Sequence, residues 1–180
     1  GIVGCGRIGL EVAKRARGFD MEVIYYSSTR RSPEEEENMG LEFVPSLATL
    51  LSRADFVTIH VALTPETHHL ISATEFARMK PTAILINAAR GPIVDQQALY
   101  QALKSGQILA AGLDVTENEP IPLDSPLLTL DNVIIAPHIA SASVVTRTKM
   151  AVMAAENLIA GLRDEQPPNC VNPEAAEHQR

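Results

Sequence analysis

Gly1-Ile2-Val3-Gly4-Cys5-Gly6-Arg7-Ile8-Gly9 is the stretch whose reading decides the fold. A short apolar run enters a turn at Gly4, Gly6 follows two residues later, and Gly9 falls three beyond that, inside a helix start. This is the G-x-G-x-x-G spacing of a dinucleotide-binding turn, and each glycine has a mechanical reason. Gly4 permits the tight strand-to-helix turn, Gly6 lets a pyrophosphate approach the backbone, and Gly9 lets the helix pack close to the sheet. The helix N-terminus then offers unpaired N–H groups and a partial positive charge to phosphates. A lone match of this kind is weak, so its surroundings must support it.

They do. From Arg7 to Arg17 apolar or small residues recur at Ile8, Val12 and Ala16, with Gly9 and Ala13 beside them, which is a helical stripe closed by Gly18. Met21 to Tyr26 is an apolar, β-branched and aromatic run, read as a second strand. Strand, glycine turn, helix and strand form one right-handed crossover unit.

The rest of the chain repeats the alternation. An acidic helix start at Glu34–Glu37 is read as a solvated face, followed by a strand at Leu41 to Val44 and a helix capped by Ser46. Apolar strands are expected at 55–61, 81–86, 108–113 and 133–136. Helices are expected at 72–79, from Asp95 or a neighbour to Gly106, and from Val144 until Pro167-Pro168 ends the last one. The reading is an α/β protein with a Rossmann-type, doubly wound parallel sheet whose first strand is truncated. A dinucleotide-binding domain is expected over residues 1–166, and 167–180 start a return to a further domain, with a frayed tail after Asn172.

Composition bounds the partners. Of 180 residues, 46% are hydrophobic and the net charge is −7, with no basic cluster, which argues against disorder and against nucleic acid. Cys5 and Cys170 form no metal or redox motif, no apolar stretch approaches membrane-spanning length, and no signal peptide is read ahead of the fold. A cytoplasmic protein with no membrane or metal partner is expected. His60, His68 and His69 are read as surface or strand-end residues without metal-ligand spacing. The chain lacks an initiating Met and begins inside its first strand, so it reads as a piece of a longer protein.

The end of the second strand bears on which dinucleotide fits. An Asp or Glu there would bond the adenosine ribose hydroxyls and repel a 2′-phosphate. The chain instead runs Ser27-Ser28-Thr29-Arg30-Arg31, with no acid before Glu34. Hydroxyls and two cations suit a 2′-phosphate, so NADP is favoured over NAD, against the alternative of a solvated loop whose arginines touch nothing.

In a parallel sheet, ligands bind outside the carboxyl ends of the strands. Three such ends carry ionisable groups: Arg90 after Ile84 to Ala89, Asp114 with Glu119 beyond it, and His138 after Ile134-Ile135-Ala136-Pro137. Taken singly, each has a plain structural reading as a turn, cap or loop residue.

With those residues in place, the chain resembles the D-2-hydroxyacid dehydrogenase family, nearest its glyoxylate/hydroxypyruvate reductase branch. The matching stretches are GIVGCGRIG, HVALTPETHHLI, MKPTAILINAARGPIVD, AAGLDVTENEP, LDNVIIAPHIAS and ENLIAGL, in the family's order from Gly1 to about Pro173. The resemblance implies His138 as catalytic acid/base, Glu119 as its carboxylate partner and Arg90 as substrate anchor. It also implies Asp114 at the nicotinamide and Gly6, Arg7 and Ile8 at the pyrophosphate. These roles suit reduction of a small 2-oxo acid to the 2-hydroxy acid. A histidine beside a carboxylate keeps a proton to donate, an arginine grips a carboxylate with two parallel bonds, and a cofactor carries the hydride.

Three positions depart from the family pattern: Ala62 stands in place of proline, Ala140 in place of glycine, and Ser28 in place of an arginine common in NADP users. The resemblance further implies a substrate domain built mainly from residues before the glycine turn, and a homodimeric parent enzyme. Two rivals share the scaffold: a non-catalytic, corepressor-like NAD(P) sensor, and an adenosylhomocysteinase-like domain, which would not carry all three of the Arg, Glu and His motifs.

Overall fold

A computed structural model describes residues 1–174. It divides into two compact units, Gly1–His138 and Ile139–Arg180. In the first, β1 (Ile2–Val3) leads through the glycine turn into α1 (Arg7–Arg17), β2 (Val23–Tyr26), α2 (Pro33–Met39), β3 (Leu41–Phe43) and α3 (Leu47–Arg53). There follow β4 (Phe56–Ile59), α4 (Ala73–Phe76), β5 (Ile84–Asn87), α5 (Gln96–Lys104), β6 (Ala110–Leu113) and β7 (Val133–Ile135). The seven strands form one sheet in the order β3-β2-β1-β4-β5-β6-β7, and every pairing is parallel. This is the expected doubly wound α/β sheet, and the order reverses direction between β1 and β4, where such folds seat a ligand.

The strand residues show why both faces are covered. Side chains alternate across a strand, and Val23 and Tyr25 enter one buried cluster with Ile2, Cys5 and Ala13 of α1. Ile24, with Val3, joins the other, larger cluster, which holds Leu50 and Leu51 of α3, Leu85 of β5 and Leu99 and Leu103 of α5. Each fully buried Leu or Ile contributes about 1.5–3 kcal/mol by leaving water, so these two clusters dominate the stability of the unit.

Helix ends follow the sequence signals. The Ser46 hydroxyl accepts from Thr49 N–H at 3.1 Å, and the Asp95 carboxylate accepts from Ala98 N–H at 2.9 Å. Ser32 and Glu35 form a reciprocal capping box before α2. Gly40 and Gly106, at φ 58° and 72°, close α2 and α5 in the left-handed region. Gly18 caps α1 in right-handed geometry instead, and Asp20 takes the left-handed turn at φ 56°.

The acidic run corrects one expectation. Glu36 is not on a solvated face: it is 9% exposed, its Oε1 accepts from the Tyr25 hydroxyl at 2.6 Å, and its two oxygens take the Arg30 fork at 2.9 and 2.7 Å. Arg30 first, then Tyr25, hold the Glu36 carboxyl down at about 2, while burial and then the Glu36 bond push the Tyr25 hydroxyl up to about 12. A carboxyl depressed on folding adds stability above its unfolded pKa and loses it as pH falls through the folded one. Glu36→Gln is therefore expected to melt below wild type at pH 7, with the gap closing between about pH 4.5 and 2. Melting curves across that range check it, and a gap that stays constant would contradict the linkage.

In the second unit, α6 runs Val144–Leu162, capped by the Ser143 hydroxyl, which accepts from Thr146 N–H at 3.1 Å. It ends at Leu162, with Asp164 left-handed at φ 58°, before Pro167-Pro168 is reached. Its apolar stripe is largely exposed, Val144 at 83% and Leu162 at 77%. The frayed tail expected after Asn172 lies, for 175–180, outside the described residues. No helix among the described residues is long and apolar enough to cross a membrane.

Candidate active site

The glycine turn has the shape its spacing predicts. Gly4 sits at φ 93°, where a Cβ would stand 2.7 Å from Val61 Cγ1 and 2.8 Å from the His60 backbone, so only glycine fits. A Cβ on Gly9 would strike the Gly4 carbonyl oxygen, whereas one on Gly6 would meet nothing within 4 Å. Open space therefore lies over Gly6, at the mouth of α1. No side chain caps that helix, its first turn holds no acid, and Arg7 and Ile8 are exposed. This cradle fits a dinucleotide's pyrophosphate: backbone donors, positive dipole and room for close approach coincide.

At the β2 end, Ser27 is half-buried while Ser28 and Thr29 are exposed. The arginines do not dangle in solvent. Arg30 is bound to Glu36 and lies 5.1 Å over the Phe43 ring. Arg31 donates from Nε to the Cys5 carbonyl at 2.8 Å, with Nη2 on the same oxygen, and Nη1 lies 3.7 Å from Glu35. Arg31 thus braces the glycine turn from the neighbouring strand end. The Cys5 thiol beneath is 1% exposed, and burial raises its pKa, which suits a packing role.

Across the sheet, backbone bonds step along the rim from β5 to β7. Asp114 N–H donates to the Asn87 carbonyl at 2.9 Å, and His138 N–H donates to the Asp114 carbonyl at 3.0 Å. Arg90, Asp114 and His138 are thereby carried on adjacent strand ends. Glu119, followed by a cis Pro120, returns to this edge, and its Oε2 lies 2.8 Å from His138 Nδ1. Its other oxygen accepts from Thr116 N–H at 3.2 Å. The bond to His138 chiefly, then the Thr116 amide and the nearby charges of His138 and Arg90, hold the Glu119 carboxyl below the usual carboxylate range. Arg90 is exposed, its Nη1 donating to the Ala89 carbonyl at 2.6 Å.

His138 takes φ 53°, in the left-handed region. For a non-glycine residue this conformation costs about 1–2 kcal/mol, and such residues concentrate at functional sites. Beside the pair opens a mostly apolar cavity of about 430 Å³, walled by Ile121, Leu128, Ile135 and Pro137, with Asp114, Glu119 and His138 among its polar lining.

His69 lies off this pair: left-handed at φ 51°, its Nε2 is 2.9 Å from Glu117 Oε1, an oxygen that also accepts from Gln96 N–H. The pairing ties the loops after β4, β5 and β6 together. His60 Nε2 pairs with the Thr58 hydroxyl at 2.9 Å, and burial lowers its pKa. Among the described residues no three His, Cys, Asp or Glu side chains gather as a metal site would require.

Two working residues escaped the sequence reading. Glu36 looked like its three acidic neighbours, and nothing in composition marks which of four glutamates turns inward. Asn87 did leave a signal, an amide at the end of an otherwise apolar strand.

Comparisons with known proteins bear on the family and the fold. Residues 1–140 match the family described as D-isomer specific 2-hydroxyacid dehydrogenase, NAD binding domain. A glyoxylate reductase of Korarchaeum cryptofilum is 60% identical over 174 residues, 97% of this chain and 52% of that protein. A glyoxylate/hydroxypyruvate reductase B of Citrobacter koseri is 54% identical, over 98% of this chain and 54% of its own. A crystal structure of a Thermus thermophilus protein matches with a TM-score of 0.87 at 48% identity, covering 94% of this chain and 52% of that one. The chain thus spans about half the length of the relatives it matches.

Proposed function

The chain belongs to the D-isomer-specific 2-hydroxyacid dehydrogenases, and from that premise we propose that it is the cofactor-binding part of an enzyme reducing glyoxylate or hydroxypyruvate to the D-2-hydroxy acid. The observation that carries the reading is the 2.8 Å His138–Glu119 pair on the same strand-end rim as Arg90.

The roles follow from the atoms. Glu119 engages Nδ1 of His138, which fixes the ring and directs Nε2 to hold the proton that the new hydroxyl needs. Arg90 anchors the substrate carboxylate through a bidentate contact and polarises the neighbouring carbonyl. Asp114 stands at the nicotinamide end. A bound nicotinamide cofactor supplies the hydride. The chain's part is to hold it: Gly4, Gly6, Arg7, Ile8 and Gly9 cradle the pyrophosphate, and Ser27, Ser28, Thr29, Arg30 and Arg31 face the adenosine ribose.

NADP is the preferred form in this reading. The Ser27, Ser28 and Thr29 hydroxyls and the lack of an acid at the β2 end support it, while the contacts that occupy both guanidinium groups, Arg30 on Glu36 and Arg31 on the Cys5 carbonyl, narrow the margin over NAD. We assign 1–166 to the dinucleotide domain and 167–180 to the start of a return to a substrate domain, although the first compact unit itself closes at His138. The parent enzyme is a cytoplasmic homodimer acting on small molecules, not on nucleic acid.

The test is oxidation of NADPH and NADH by the full-length gene product with glyoxylate and hydroxypyruvate. NADPH turnover with at least one of them is expected, at a kcat/KM about tenfold above NADH, a margin of about 1.4 kcal/mol. No turnover with either acid overturns the enzymatic reading and favours a sensor. Equal use of the two cofactors overturns the NADP preference alone.

A further inference from the structure

Asn87 ends β5 with a side chain only 1% exposed, in a strand otherwise made of Ile84, Leu85 and Ile86. Burying an amide there is unfavourable unless its donor and acceptor are both used. Both are. Ala89 N–H donates to Oδ1 at 3.0 Å, and Nδ2 donates to the Arg90 carbonyl at 3.0 Å. An N–H must meet the amide oxygen and a carbonyl the amide nitrogen, so the amide's orientation is forced. The Asn87 backbone carbonyl meanwhile accepts from Asp114 N–H at 2.9 Å.

We infer that Asn87 is the positioning residue for Arg90: its amide closes the turn after β5 and sets where the guanidinium emerges. The inference rests on reading Arg90 as the substrate anchor. The loop needs this brace because Arg90 is exposed and its Nη1 donates to the carbonyl of its own neighbour, Ala89, at 2.6 Å. Without the amide, Ala89 N–H and Arg90 C=O would lose their partner at the base of the turn, and the turn would relax into solvent. A misplacement of about 1 Å is enough to cost about 10²-fold in rate.

The test uses the full-length protein. Asn87→Ala is expected to lower kcat/KM for the 2-oxo acid about 10–100-fold, mainly through KM, with NADPH affinity within about threefold of wild type. Asn87→Asp keeps the acceptor for Ala89 N–H but sets a buried carboxylate oxygen against the Arg90 carbonyl, and should lose at least as much as Asn87→Ala. In an Arg90→Met background, Asn87→Ala should add less than about threefold, because residues acting through one another are non-additive. Multiplying losses in the double variant, or cofactor affinity falling in parallel, would overturn the inference.

A fully active Arg90→Met would sink the anchor reading instead. Amide exchange at Ala89 reads the brace without any activity: faster exchange in Asn87→Ala supports it, and unchanged exchange refutes it.

Discussion

His138→Gln in the full-length protein is expected to lower kcat by about 10²–10⁴-fold, the range attributable to a positioned general acid, while NADPH affinity stays within about threefold. The substitution keeps a donor near Glu119 but removes the group that can give up a proton near neutral pH. Because His138 holds φ 53°, glutamine also brings backbone strain to this position, and His138→Asn separates the two causes. Asparagine tolerates the left-handed region better than glutamine, so similar losses in His138→Gln and His138→Asn assign the loss to chemistry. Wild-type turnover in the glutamine variant would end the acid/base role.

Loss of the ion pair itself should barely register in stability. The His138 and Glu119 side chains are 50% and 40% exposed, and ion pairs so open to water contribute about 0–1 kcal/mol. The pair is better placed to aim a ring than to hold the fold. Since the Glu119 carboxyl is held below its usual range, its carboxylate persists above that lowered pKa and is lost as pH falls through it. A function assigned to these residues therefore stands or falls on rates, not on melting.

Most of the architecture was legible because its signals are local. The helix predicted from Ile8, Val12 and Ala16 lies at Arg7–Arg17, Ser46 caps the helix it was expected to cap, and Asp95 caps the helix expected to start there or at a neighbour. The strand-end positions of Arg90, Asp114 and His138 followed from apolar runs alone, and the structure gathers His138 with Glu119.

What stayed hidden depends on contacts between distant segments. Glu36 turns inward because Tyr25 and Arg30 meet it, and the exposed stripe of α6 shows that a helical period does not say what covers it. The alternatives for Arg30 and Arg31 were solvent or a phosphate. Neither included the carboxylate and carbonyl they touch here.

Gly91→Ala should be the most damaging small substitution in the first unit. A Cβ at that position would overlap the Thr116 carbonyl and stand 2.6 Å from Glu117 N. Those atoms are backbone, so no side-chain rotation relieves the clash, and one of two loops must move. One carries Arg90, next to Gly91; the other carries Thr116, whose N–H holds Glu119.

Overpacking of this kind costs about 1–3 kcal/mol or more, and 3 kcal/mol corresponds to roughly 6–12 °C in melting temperature for a domain this size. Activity should fall further than stability, since moving either loop separates the guanidinium from the acid. Gly112→Ala is the control, because a Cβ there meets nothing within 4 Å and glycine is a poor strand residue. It should melt at or slightly above wild type. If thermal scans showed Gly91→Ala melting with that control and turning over normally, the close approach between the two loops would not exist, and the anchor and the acid would not share one rigid rim.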